Sequence, residues 1–351
     1  MENKNIPILH FYRFLAAIFV VLFHYKIFYA TNISKFTISE KAQPFYDLLY
    51  YPYEFGWMAV QFFFFLSGFV FYLVYLDKIN EKKINFRKFF LLRFSRLYPL
   101  HFVTLLTTLT VFLILDKNTF LQNIDIKHFI LNLFLIQNWG IENGPSFNEP
   151  SWSISIEAMM YLTFFLVAKN KNFILYITVI LIIIFTFIFF EKKLIGYGGF
   201  CFFLGGIVFL IYEKIKNIKM LSSAKFFSIL FLIFLLTMVI LRYSRLSSIE
   251  IKILIIVFLF PTTLLASTIY EIKNKKVSLF FNFLGNISYS TYLLHFPVQI
   301  IILSFLKHLK IQIDFGSQQF FLSYIFFIIV LSSLSYIFYE NKIKIYIRKK
   351  I

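Results

Sequence analysis

Residues 9–25 read LHFYRFLAAIFVVLFHY. Arg13 and His24 stand inside a run that is otherwise almost wholly apolar and aromatic. At about 100° per residue, eleven residues amount to three turns plus about 20°, so the two side chains leave one helical face. At 1.5 Å per residue they lie ~16 Å apart along the axis. Ionisable groups in an apolar span face a bundle interior or a wet cavity and mark functional sites. Snorkelling of Arg13 toward a surface and a plain interhelical hydrogen bond for His24 are the structural alternatives. A shared face argues against two independent accidents.

The rest of the chain repeats this pattern. It has 351 residues, 60% hydrophobic, 22% aromatic and 15% charged, against roughly 45–50% apolar and about 25% charged in soluble domains. The apolar excess falls in blocks near the ~20 residues that cross a ~30 Å hydrocarbon core. Ten spans are expected, at 6–28, 57–77, 91–115, 151–168, 173–190, 196–213, 225–242, 251–270, 286–307 and 320–340. Each must be a helix, because backbone in lipid has to satisfy its own hydrogen bonds. The expectation is an all-α polytopic membrane protein, with 1–351 a single domain and no appended soluble domain. Segment 128–138, HFILNLFLIQN, is short for a span and reads as re-entrant or interfacial. No basic n-region precedes the first span and no A-x-A-like site follows it, so a cleaved signal peptide is not expected.

With the N-terminus inside, alternate connections carry 22 Lys and Arg on one side and 12 on the other, Arg13 being the remaining one of 35. The positive-inside rule then places both termini in the cytoplasm. The +18 net charge is largely this asymmetry and does not imply nucleic acid. A basic face attracts anionic lipid and equally suits an anionic substrate. Cys201 is the only cysteine, which excludes a disulfide framework and a cysteine metal site. No metal is expected. Its surroundings offer nothing to activate it as a nucleophile. The Ile, Lys, Asn and Phe usage fits an AT-rich bacterial genome.

Other spans carry polar groups. In FFLLRFSRLYPLHF (89–102), Arg93 and Arg96 are three apart on one face, at the expected cytoplasmic end, and two guanidinium forks suit a phosphate. A plain positive-inside anchor is the alternative. Pro99 is expected to break the local ladder. In PSWSISIEAMMYLTFF (150–165), Glu157 sits about a turn inside, where an unpaired carboxylate is costly. Proton transfer, substrate binding and a structural ion pair are all open for it. Trp152 fits an interfacial aromatic belt. LGNISYSTYLLHFPV (284–298) carries hydroxyls and amides, Tyr289 among them, then His295. His10 and His101 are no stronger than His295, and His128 and His308, in outer connections, need no special role. Ser67-Gly68 and the glycines of GYGGFCFFLGG (196–206) read as close helix packing.

In order, these segments resemble one family, the integral-membrane acyltransferases of acyltransferase family 3. The match comprises R-x10-H (Arg13, His24), FFFLSGF (63–69), RFSRLYP (93–99), WSISIEAMMY (152–161), LGNISYSTYLLHFPV and YIFYENK around Glu340. The fifth to eighth spans match only as a hydrophobic pattern. The resemblance implies transfer of an acyl group, usually acetyl, from cytoplasmic acyl-CoA to a hydroxyl of a carbohydrate-containing acceptor. Acceptors in the family include surface polysaccharides, O-antigen, peptidoglycan, lipid-linked glycans, antibiotics and signalling sugars. It implies that Arg13 and His24 are essential and that Arg93, Arg96 and Glu157 are functional. His24 is expected as general base with Glu157 beside it; Arg13, Arg93 and Arg96 as donor-binding; Trp152, Tyr289 and His295 as lining.

Acetyl-CoA enters as co-substrate rather than as a permanent cofactor. Expected partners are membrane lipids, with polysaccharide-assembly proteins or a second copy open, in a bacterial inner membrane and serving the cell envelope. Some relatives carry an extracytoplasmic hydrolase-like domain, so this chain is expected to work alone or with a separate partner. A transporter or flippase for a lipid-linked glycan explains Arg13 and Glu157 but not the ordered motifs. A non-catalytic assembly partner is the third reading.

Overall fold

The computed structural model describes residues 6–32, 35–36, 42–114, 123–142, 144–191, 193–216, 232–233, 236, 239, 248–274 and 279–350. Its α-helices, in chain order, are α1 (Pro7–Phe23), α2 (Tyr50–Phe55), α3 (Met58–Asn80), α4 (Phe86–Ile114), α5 (Ile126–Leu133), α6 (Trp152–Val167) and α7 (Ile174–Phe190). Then come α8 (Leu194–Ile215), α9 (Ser248–Leu254), α10 (Phe260–Asn274), α11 (Leu279–Leu309), α12 (Gln318–Ser335) and α13 (Asn341–Lys349). One short antiparallel ribbon pairs Ala30–Asn32 with Lys35–Phe36. Nine helical stretches among the described residues are long and apolar enough to cross a membrane. They coincide with nine of the ten expected spans, and the chain is an all-α multi-pass membrane protein. The remaining span, 225–242, lies mostly outside the described residues.

The chain sorts into two compact units. The first comprises Met1–Arg13, Val60–Ile84 and Met160–Gly285. There Gly68 and Gly205 act by lacking a side chain. A Cβ on Gly68 would strike the Phe202 carbonyl, and one on Gly205 the Phe65 carbonyl, so α3 and α8 pack backbone to backbone. Aromatic rings fill the space beside them. Phe71 stacks on Tyr161 with centroids 4.3 Å apart, and the Tyr72 hydroxyl bonds Thr178 Oγ1 at 2.6 Å. Cys201 is fully buried in this unit.

The second unit comprises Phe14–Ala59, Asn85–Met159 and Asn286–Ile351. Its aromatic cluster gathers Tyr25, Phe28, Tyr29, Tyr53, Phe321 and Tyr324. Two prolines sit inside unbroken helices, Pro99 in α4 and Pro297 in α11, so the expected break at Pro99 does not end its helix. A proline withholds the N–H that would bond the carbonyl four residues earlier. For Pro297 that is Leu293, and Asn148 Nδ2 donates to the Leu293 carbonyl at 3.1 Å instead. Around Pro99, the Tyr289 hydroxyl donates to the Leu97 carbonyl (2.5 Å) and the Tyr339 hydroxyl to the Pro99 carbonyl (3.2 Å). The prolines thus become the points where neighbouring segments are tied on. Segment 128–138 resolves into most of the short α5 followed by turns. Its His128, expected to be incidental, is buried and paired with Asp125 at 2.7 Å.

Candidate active site

His24 lies where α1 changes pitch. The α-helix ends at Phe23, and His24–Tyr29 continue as a 3-10 turn. The turn is pinned by buried rings; the Tyr25 hydroxyl donates to the Phe315 carbonyl at 2.8 Å. Gln299 Nε2 donates to the His24 carbonyl at 2.9 Å, satisfying a backbone group at the pitch change. The imidazole itself is half-buried. Its Nδ1 lies 2.9 Å from the Val20 carbonyl and 3.3 Å from Nε2 of His295. The ring centroids are 5.0 Å apart, and His295 is 0% exposed. Among the described residues, no hydrogen bond engages His24 Nε2.

The 148–153 segment forms the neighbouring wall. Its 3-10 turn, Glu149–Ser151, leads into α6. The buried Tyr292 hydroxyl donates to the Pro150 carbonyl at 2.7 Å and shares a 2.7 Å bond with Ser153 Oγ. Glu149 and Glu157 both lie within electrostatic range of that hydroxyl. Glu149 also feels Lys26, which in turn acts on His24. Lys26 rests over the Phe23 ring, 3.7 Å from its centroid. Trp152 and Glu157 are half-buried on α6. Thus His295, Trp152 and Glu157 fall in the same unit as His24.

Arg93 and Arg96 head a second group in that unit. The chain after α12 passes through a π-helical turn, Tyr336–Glu340, which delivers the buried Glu340. Glu340 accepts from Ser290 Oγ at 2.5 Å and from Ser335 Oγ at 2.9 Å, and it faces Arg96. The amphipathic α13 then packs along α4. Its Lys344 is within electrostatic range of Arg93, Arg96, Arg348 and Glu340. Arg96 and Lys344 thus act on the Glu340 carboxylate, and Arg93 and Arg348 act on Lys344. Tyr289, through its bond to Leu97, belongs to this group rather than to the imidazoles. Along α11, Ser290 at the cations and His295 at His24 are five residues apart, ~7.5 Å of helix rise.

Arg13 is 9% exposed and lies in the first unit. His101 is buried and its Nε2 donates to the Asn132 carbonyl at 2.8 Å, a bond that ties α4 to α5. His10 lies against Gly285, and His308 is exposed. Among the described residues, no group of three or more His, Cys, Asp or Glu is arranged to hold a metal ion.

Sequence reasoning passed over Glu149, Lys26, Ser153, Tyr292, Lys344 and Arg348. For the last two a signal was present. In NKIKIYIRK, Ile343, Tyr346 and Ile347 fall on one helical face and Lys344 and Arg348 on another, the pattern of an interfacial amphipathic helix.

A half-buried imidazole, two half-buried carboxylates and a buried one, and a cation cluster within an apolar bundle are the equipment of an intramembrane transfer site. The family model described as an acyltransferase domain matches residues 6–340, and the chain belongs to this family, acyltransferase family 3. Acyltransferase MdmB of Streptomyces mycarofaciens is 37% identical over 111 residues, 31% of this chain. That alignment spans about 27% of the length of MdmB. No solved structure matches the chain. The protein is a multi-pass membrane member of this family.

Proposed function

We propose that the protein moves an acyl group, acetyl in the first instance, from acyl-CoA to a hydroxyl of a surface or lipid-linked carbohydrate, with His24 as general base. The observation that carries this reading is the half-buried His24 ring with Nδ1 held by the Val20 carbonyl. A carbonyl only accepts, so Nδ1 keeps its hydrogen and Nε2 presents the lone pair. In the proposed step Nε2 removes the proton of the acceptor hydroxyl as its oxygen attacks the thioester carbonyl carbon. The tetrahedral intermediate collapses, the carbon–sulfur bond breaks, and the imidazolium returns the proton to the departing thiolate. A positioned general base contributes ~10²–10⁴-fold. Glu157 is assigned to orienting the imidazole or stabilising its protonated form.

The anionic groups of CoA are assigned to Arg93 and Arg96, joined by Lys344 and Arg348. The short rise along α11 from that group toward His295 supports passing an extended pantetheine arm between them. Arg13 is assigned to donor binding from the family pattern. The charge asymmetry supports placing the cation group and both termini at the cytoplasmic face of a bacterial inner membrane. A transacylation through acyl-His24 is the variant route; trapping labelled acyl-protein without acceptor selects it.

Purified protein, labelled acetyl-CoA and a panel of glycans test the assignment. Acceptor-dependent release of free CoA, lost in His24→Ala, is the expected result. Release that survives His24→Ala refutes the base. Cargo movement without thioester consumption refutes the enzyme reading in favour of a transporter.

A further inference from the structure

Beside His24 stands a second imidazole that reaction chemistry does not require, fully buried in a site where every polar group needs a partner. His295 Nδ1 lies 2.6 Å from the Tyr292 carbonyl, and the Thr291 carbonyl also faces the ring. Carbonyls cannot donate, so His295 Nδ1 carries the hydrogen. In a neutral imidazole the other nitrogen, Nε2, is then an acceptor. This acceptor is directed at His24 Nδ1, 3.3 Å away. The same His24 nitrogen also meets the Val20 carbonyl at 2.9 Å. Two acceptors converge on His24 Nδ1.

We propose that His295 is a positioning residue that locks His24 in its Nδ1–H tautomer and aims the Nε2 lone pair at the acceptor hydroxyl. The inference rests on the His24-base reading above. In the opposite tautomer, His24 Nδ1 would turn a lone pair toward two others, and the ring would have to rotate away. The arrangement also works after proton uptake, since the imidazolium keeps its Nδ1–H between the same two acceptors. It does not relay protons. Passing the Nδ1 hydrogen to His295 would leave a His24 lone pair facing the Val20 carbonyl. Orienting carboxylates do this work in many histidine sites. A neutral acceptor does it without placing a further charge in the apolar bundle, where ionised groups are costly.

Four variants and one spectrum test the proposal. His295→Leu removes the acceptor and is expected to lower kcat by ~10–10²-fold, part of the general-base contribution, with KM for acetyl-CoA unchanged. His295→Gln sets an amide oxygen near the lost Nε2 and is expected to recover most of that loss. Wild-type kcat in His295→Leu, or equal loss in His295→Gln, overturns the proposal. In wild-type protein carrying 15N-labelled histidine, His24, assigned by its absence from His24→Gln, is expected to show the Nδ1–H pattern. An Nε2–H pattern overturns the proposal even if His295→Leu fails to fold. His24→Ala is run in parallel. Retained turnover there defeats the base reading itself, whereas dead His24→Ala beside unimpaired His295→Leu defeats this inference alone.

Discussion

Replacing Asn148 by Ala removes a bond that the protein needs only because residue 297 is proline. Pro297 leaves the Leu293 carbonyl without its helical donor, and the 3.1 Å bond from Asn148 Nδ2 fills the gap. Asn148 is 1% exposed, so no bulk water replaces it. Stranding a buried carbonyl costs about 1–3 kcal/mol. The substitution also deletes Asn148 Oδ1, a buried acceptor with no partner among the described residues, which offsets part of the loss. The expected net cost is ~1–2 kcal/mol, near the lower end of that range. It is measurable as a shift in the unfolding free energy on titrating mixed micelles with denaturing detergent. The decisive comparison is a double-mutant cycle with Pro297→Ala, which restores an N–H four residues after Leu293. In that background Asn148→Ala should cost about 1 kcal/mol less, the coupling expected of groups sharing one partner. Strictly additive effects would refute the account of how the 148–153 segment is fastened to α11. Catalysis supplies a second readout, because this segment carries Glu149 and Ser153 to Tyr292.

Further outcomes follow from other contacts. Gly68→Ala or Gly205→Ala should each destabilise by ~1–3 kcal/mol through overpacking, lowering Tm in detergent; an unchanged Tm would contradict the close approach of α3 and α8. Lys344→Ala with Arg348→Ala should raise KM for acetyl-CoA while leaving kcat largely intact, and should shrink the preference over the 3′-dephospho donor. An unaltered preference removes α13 from the donor site. Glu157→Gln should lose turnover with the fold retained, and full turnover would leave it a structural role. Asp125 caps α5, with its side chain accepting from the His128 N–H at 2.9 Å, and that bond first of all holds its carboxyl below the usual range. The cap's contribution is therefore present above the ordinary Asp value of ~3.9 and lost as pH falls through the lowered one. Asp125→Ala should lower Tm modestly at pH 7, with the gap to wild type closing below about pH 4. A gap independent of pH would show that the carboxylate is not the cap.

Much of the fold was legible because the bilayer imposes a length and a polarity rule on each span separately. Positions 6–28 and 57–77 were readable without knowing any neighbour. Helix ends were less so. The span expected at 91–115 begins at Phe86, and that at 286–307 begins at Leu279, since helices continue past hydrocarbon as long as their backbone bonds do. Arg93, Arg96 and His24 could be singled out because a charge inside lipid is an exception detectable in one dimension. Glu149 and Tyr292 could not. A carboxylate beside a span and a tyrosine within one are ordinary residues until distant segments meet.

The sequence alone determined that this chain crosses a membrane many times and that a basic residue and an imidazole stand in one apolar run. Those facts depend on hydrophobic run length and on residue type, both local. Only the tertiary structure decided what holds the imidazole. A carbonyl one turn back and a histidine 271 positions away converge on the same nitrogen. Proton placement on an imidazole is set by its hydrogen-bond partners, and partners that far apart in the chain are chosen by packing.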